Sequence, residues 1–157
     1  MPAHVTSAAT EQCLRDRLVA DGYKLSEVRR HGETGVDVRA TRDKEDLYIE
    51  VIGFKSSPPA RAKDFFEIFF RAVSRLDQGA TKCIIALPVR FGVGLPSRAK
   101  QYGSAWRRIG DAFPELRIWL VDIEHGSVVE THWNDWLPER AVTSPLRGMV
   151  SLATRGH

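Results

Sequence analysis

The sequence predicts an α/β domain, a mixed sheet flanked by helices in the order α-βββ-α-β-α-β-β. Three observations lead there. Residues 36–41 alternate apolar and polar, residues 47–54 form a β-rich run, and the polar link Arg42-Asp43-Lys44-Glu45 between them reads as a hairpin turn. Residues 83–87 (CIIAL) and 117–123 (RIWLVDI) are short apolar runs of the kind found in strands covered on both faces. Helical patterns at 62–76 and 97–113 separate these runs, so crossovers join them.

Taken in order, Thr10-Glu11-Gln12 opens an amphipathic helix whose apolar stripe is Cys13, Leu14, Leu18 and Val19. Asp21-Gly22 stops it, with Gly22 suited to a left-handed cap. Residues 23–30 are a weak strand, followed by a turn at Gly32 and Gly35. After the hairpin, Ser56-Ser57-Pro58-Pro59 breaks the chain before a helix rich in Phe, which should be largely buried. Gly92-Val93-Gly94-Leu95-Pro96 is a loop, Ser97 is the expected cap of the third helix, and Pro114 ends it. A short final strand covers 128–132. The expected organisation is one domain over 1–136 and a loosely structured C-terminal tail over 137–157.

Composition narrows the class. Hydrophobic residues are 43% and charged residues 27% of the 157, near globular averages. No apolar run approaches the ~20 residues of a membrane span, and the N-terminus lacks the basic start and apolar core of a secretory signal. Cys13 and Cys83 stand too far apart for a disulfide framework or zinc motif. The expectation is a cytoplasmic domain with no membrane partner. Charge is uneven: residues 61–117 carry 11 basic against 5 acidic residues, or +6, while both flanking segments are slightly acidic. Such a concentration attracts polyanions, of which nucleic acid is the commonest, although solvated helix faces rich in Arg look the same in sequence.

The hairpin carries the chemistry. A turn centred in 42–45 pairs Thr41 with Asp46, Arg39 with Tyr48 and Asp37 with Glu50. Opposed residues share a sheet face with Cβ atoms roughly 5 Å apart, and like charges so placed are destabilising without compensation. A divalent cation compensates them, and Mg²⁺ takes carboxylate oxygens while leaving positions for water and phosphate. A shifted register would instead leave Asp37 in a turn and Glu50 paired with an arginine.

Gly35-Val36-Asp37-Val38 followed by Leu47-Tyr48-Ile49-Glu50-Val51 resembles the core of the PD-(D/E)xK nuclease superfamily, which includes restriction endonucleases and Holliday-junction resolvases. The order α-βββ-α-β, over roughly residues 10–89, matches that core. The resemblance implies a restriction-endonuclease-like fold and an Mg²⁺- or Mn²⁺-dependent DNA endonuclease. Asp37 and Glu50 would hold the metal and Glu11, on the first helix, would assist. It also implies basic residues gripping phosphates around a cleft, here Arg61, Lys63, Arg90, Arg98, Lys100, Arg107 and Arg108. A homodimer is the default, since cutting both strands takes two sites.

One departure matters. The superfamily usually has Lys two residues after the Glu, and Ile52 stands there. A β-bulge at Gly53 would reverse the alternation and bring Lys55 onto the Glu50 face, with Lys63 as a second substitute. A second reading therefore stays open: a nuclease-fold module that binds nucleic acid or a protein partner without cleaving. A third, an α/β nucleotide-binding protein, is disfavoured because Gly92-Val93-Gly94 lacks the third glycine of a dinucleotide fingerprint. The five His show no metal-ligand spacing, and Trp106, Trp133 and Trp136 suit packing better than base stacking.

Overall fold

Six strands form one sheet whose spatial order follows the chain: β1 (Lys24–Leu25), β2 (Val38–Arg42), β3 (Glu45–Val51), β4 (Lys82–Pro88), β5 (Leu116–Asp122) and β6 (Ser127–His132). The computed structural model describes residues 4–29 and 35–140. The β1–β2–β3 group and the β5–β6 pair are antiparallel, whereas β3, β4 and β5 are mutually parallel. Parallel neighbours need crossovers, and the two helices α2 (Pro58–Ser74) and α3 (Leu95–Ala112) supply them. The remaining helix, α1 (Ser7–Ala20), precedes the sheet. The expected α/β class and element order are both present.

The hairpin folds in the expected register, with Thr41 opposite Asp46 and Arg39 opposite Tyr48. Its turn is tight, and Asp43 takes φ 53° there, a left-handed conformation that Asp tolerates better than most residues.

Each sheet face has its own core. On one side Leu14 and Leu18 of α1 cover Val38, Ile49, Ile84 and Trp119. On the other, Phe65, Ile68 and Ala72 of α2 and Leu95, Ala99 and Trp106 of α3 cover Tyr48, Ile85, Ile118 and Leu120. β3 and β4 are sandwiched between the two layers, which is why residues 47–51 and 83–88 are buried without alternation.

Helix boundaries differ from expectation at the N-termini. α2 begins at Pro58 because Ser57 caps it, accepting the Ala60 N–H at 3.4 Å, and the two prolines fill positions whose N–H needs no partner. α3 begins at Leu95, so Ser97 lies inside the first turn and Gly94 holds the cap position. Gly103 then kinks α3 with φ 47° and ψ −111°, a conformation closed to side chains with a Cβ.

The tryptophans pack. Trp106 and Trp133 stack at 4.0 Å, and each indole N–H donates to the other's backbone carbonyl at 2.9 Å. Trp136 donates to Thr131 Oγ1 at 3.0 Å. This lock fastens the segment after β6 to α3 and extends the folded unit past the expected boundary. Leu137 is buried and a single 3-10 turn follows at Pro138–Arg140. The rest of the expected tail, 141–157, lies outside the described residues. Among the described residues no helix is long and apolar enough to cross a membrane.

Candidate functional site

Asp37 lies one residue before β2, in a bend, and Glu50 is the last but one residue of β3. The register brings the two carboxyl groups together, as the hairpin reading expected. Asp37 Oδ2 accepts the Val51 N–H at 2.8 Å, and Oδ1 is ion-paired with Arg29. The Glu50 side chain is fully buried. Its Oε1 receives both Arg75 Nε at 2.9 Å and an Arg75 terminal nitrogen at 2.8 Å. Its Oε2 is buried with no donor. The Glu50 carboxyl is pushed up to about 7, first by burial and then by the charge of Asp37, with Arg75 pulling the other way. Each alternative for this hairpin thus holds in part, because the register is the opposed one and Glu50 is also paired with an arginine.

Arg75 was not foreseen, although the sequence carries a signal for it. Phe65, Ile68, Ala72 and Arg75 follow one another at helical spacing, and the first three are the buried stripe of α2. A guanidinium at the next position of an apolar stripe needs a buried anion, and Glu50 is that anion.

Beside the dyad opens a cavity of 480 Å³, lined by His4 to Ser7, Asp37, Val51 to Gly53, Lys55, Asp64 and Arg71. It lies where β3 leaves the sheet and the N-terminal segment crosses it. Val5 pairs with Phe54 through two backbone hydrogen bonds, of 2.9 and 2.7 Å. Gly53 is there for that crossing, since a Cβ would stand 2.2 Å from the Val5 carbonyl oxygen. The expected bulge is therefore corrected. Tyr48, Ile52 and Phe54 all join the same core, so alternation runs unbroken through Gly53. Lys55 reaches the cavity because the chain has left the sheet, and its Nζ stands 3.0 Å from Asp64 Oδ2. Ile52, at the usual lysine position, is core.

Asp64 and Arg71 are further cavity groups that sequence reasoning missed. They lie seven residues apart on α2, hence on one face two turns apart, with Arg75 a turn beyond. Lys63 faces away and only approaches Glu67, at 3.9 Å.

Glu11 does not reach the dyad. Its Oε2 accepts from Arg15 Nε at 2.8 Å, and Arg15 in turn donates to the Ser26 and Asp37 carbonyl oxygens at 2.7 and 3.1 Å. Glu11 thus steadies the arginine that holds the Asp37 backbone, a positioning part and not the metal ligand expected of it. Among the described residues no group of three His, Cys, Asp or Glu side chains is placed to hold a metal ion. What the site offers a divalent cation is two carboxylates, an unpartnered buried oxygen and a cavity for water. That set fits Mg²⁺, which is usually held by one or two carboxylates and keeps several waters.

The expected basic residues separate into two groups. Arg61 and Arg90 both lie over the Phe54 ring, at 4.4 and 4.9 Å, and Arg98 lies over Phe65 at 5.0 Å. Of these three, Arg61 also donates to the carbonyl oxygen of the cavity residue Lys55 at 2.8 Å. Lys100 and Arg108 are exposed, and Arg107, beyond the Gly103 kink, is ion-paired with Glu139. Cys83 is buried with its thiol pushed up to about 11 by that burial, so it is no nucleophile.

No family model, no curated protein and no solved structure matches the chain.

Proposed function

We propose that the protein is a divalent-metal-dependent nuclease of the PD-(D/E)xK type, hydrolysing phosphodiester bonds in DNA. The observation that carries the reading is Asp37 at the cavity wall with Glu50 buried behind it, its Oε2 without a donor. A buried acceptor without a partner costs about 1–3 kcal/mol, and a second carboxylate alongside raises the cost. A cation held by Glu50 Oε2 and Asp37 together would give that oxygen its partner.

Asp37 and Glu50 would hold Mg²⁺ or Mn²⁺, which supplies Lewis-acid polarisation of the phosphate and a bound water acidic enough to attack. The chain's own residues do the rest. Arg75 fixes one Glu50 oxygen with a hydrogen bond from Nε and an ion-pair contact from a terminal nitrogen, leaving the other to face Asp37. The Val51 N–H sets the Asp37 rotamer. Lys55 and Arg71 line the same cavity and bring positive charge to where the phosphoryl oxygens gain negative charge. Asp64 holds Lys55 until a phosphate competes for it. Lys55 thereby stands in for the lysine that Ile52 replaces.

A second reading keeps the fold and its nucleic-acid surface without cleavage. It is favoured by one observation, that both carboxylates already have guanidinium partners in Arg29 and Arg75. A plasmid-nicking assay in Mg²⁺ and in Mn²⁺ separates the two. The nuclease reading expects nicking by wild type, a fall of at least a hundredfold in Asp37→Asn, and a large loss in Lys55→Ala with the melting temperature kept. Absence of nicking at any metal concentration, with DNA still bound, decides for the binding module.

A further inference from the structure

The three arginines over the Phe54 and Phe65 rings pose a problem of their own. Arg61, Arg90 and Arg98 converge from the start of α2, the 3-10 turn Val89–Val93 after β4 and the start of α3 onto the edge-to-face and stacked rings of Phe54, Phe91 and Phe65. Among the described residues neither Arg61 nor Arg98 has a carboxylate within ion-pair distance. Arg98 Nε is buried with no acceptor. Burial and the charge of Arg61 hold the Arg98 guanidinium below its ordinary pKa, against the pull of Tyr102. Cations gathered this closely on a half-buried surface are the complement of an anion with several acceptor oxygens, and phosphate matches guanidinium geometry best.

Next to this cluster the protein leaves aromatic surface in water. Phe66 is 42% exposed and Tyr102 is 39% exposed, their rings meet edge to face at 5.8 Å, and Arg98 reaches 5.8 Å from the Phe66 centroid. Packing does not require this pair, since the core behind it is closed by Phe65 and Trp106. Exposed aromatic rings beside guanidinium groups are the means by which proteins hold unpaired bases, one ring taking the base and the cation its phosphate.

We propose that Arg61, Arg90 and Arg98 with Phe66 and Tyr102 form a subsite for one unpaired nucleotide of a nucleic-acid strand, so that the protein selects single-stranded or frayed substrate over continuous duplex. The inference rests on the nuclease reading for the presence of a strand in the cavity, to which Arg61 connects directly through Lys55. A base buried in a duplex stack cannot reach the ring pair, whereas an unpaired one can leave its neighbours at little cost.

The test is fluorescence anisotropy of the full chain with a labelled 12-nucleotide single strand and the matching blunt duplex, without metal, followed by the same substrates in Mg²⁺. The single strand should bind at least tenfold more tightly. The double variant Phe66→Ala/Tyr102→Ala should lose that preference by about tenfold, the size of one stacked base, while duplex affinity stays the same. Arg61→Gln should lower the log–log salt slope for the single strand by about 0.7, one phosphate contact, and it avoids removing Arg98 from its packing against Phe65. Equal affinity for the two substrates, or a preference unmoved in the aromatic variant, overturns the subsite. Cleavage without strand preference overturns the subsite alone, preference without cleavage overturns the hydrolase alone, and absence of binding overturns both.

Discussion

Glu50 is a fully buried carboxyl group with one oxygen lacking a donor, and its energetics can be measured directly. A carboxyl group whose folded pKa exceeds its unfolded value keeps its proton more tightly in the native state. The stability it confers is complete below the unfolded value, near 4.5, and is lost as pH rises to the folded value of about 7. In metal-free buffer, urea unfolding of wild type should therefore weaken across that window, and Glu50→Gln should remove that part of the slope. Identical slopes would mean that Glu50 is ionised at all these pH values and that Arg75 alone neutralises it. Mg²⁺ should act in the opposite direction, favouring the ionised form and restoring stability at the upper end of the window. Arg75 shows where reading residues singly stops. The sequence put Glu50 opposite Asp37 through strand register, a local property, whereas the Glu50–Arg75 bond joins residues on different elements. Only the placement of Arg75 just past the end of α2, in line with its apolar stripe, hinted at it.

At the scale of elements, the N-terminal segment does more than lead into α1. Its pairing with Phe54 closes one side of the cavity, and Gly53 allows the two backbones to approach. Gly53→Ala should push the segment off. Hydrogen exchange should then show faster exchange at the Val5 and Phe54 amides, with β4 and β5 unaffected and overall stability lower by about 1–3 kcal/mol. Protection unchanged at both amides would contradict this reading of the glycine. The strands and the hairpin register were legible because period-two alternation and unbroken apolar runs report burial on one face or both. The role of Gly53 was not. Glycine in a strand signals either a bulge or a close approach, and only the crossing of residues nearly fifty positions upstream distinguishes them. The α3 kink escaped for a similar reason, because Gly103 within a helical pattern is compatible with a straight helix. Ser97 failed as a cap because Gly94 and Pro96 started the helix sooner.

For the whole molecule, the +6 segment 61–117 does not act as one basic face. The fold splits it, with Arg61, Arg90 and Arg98 over the Phe54 and Phe65 rings, Arg75 buried on Glu50, and Arg107 paired with Glu139 beyond the kink. Net charge in sequence overstates what a polyanion would meet. The central claim, that Asp37 and Glu50 are a divalent-metal site, is tested most directly by calorimetric titration of the protein with Mn²⁺ near pH 6 in buffers of different ionisation enthalpy. The account predicts one site, with close to one proton released per ion as the metal displaces the proton that Glu50 holds at that pH. Both the heat and the release should vanish in Glu50→Gln. Metal heats that are the same in wild type and Glu50→Gln, or binding with no proton released, would contradict it.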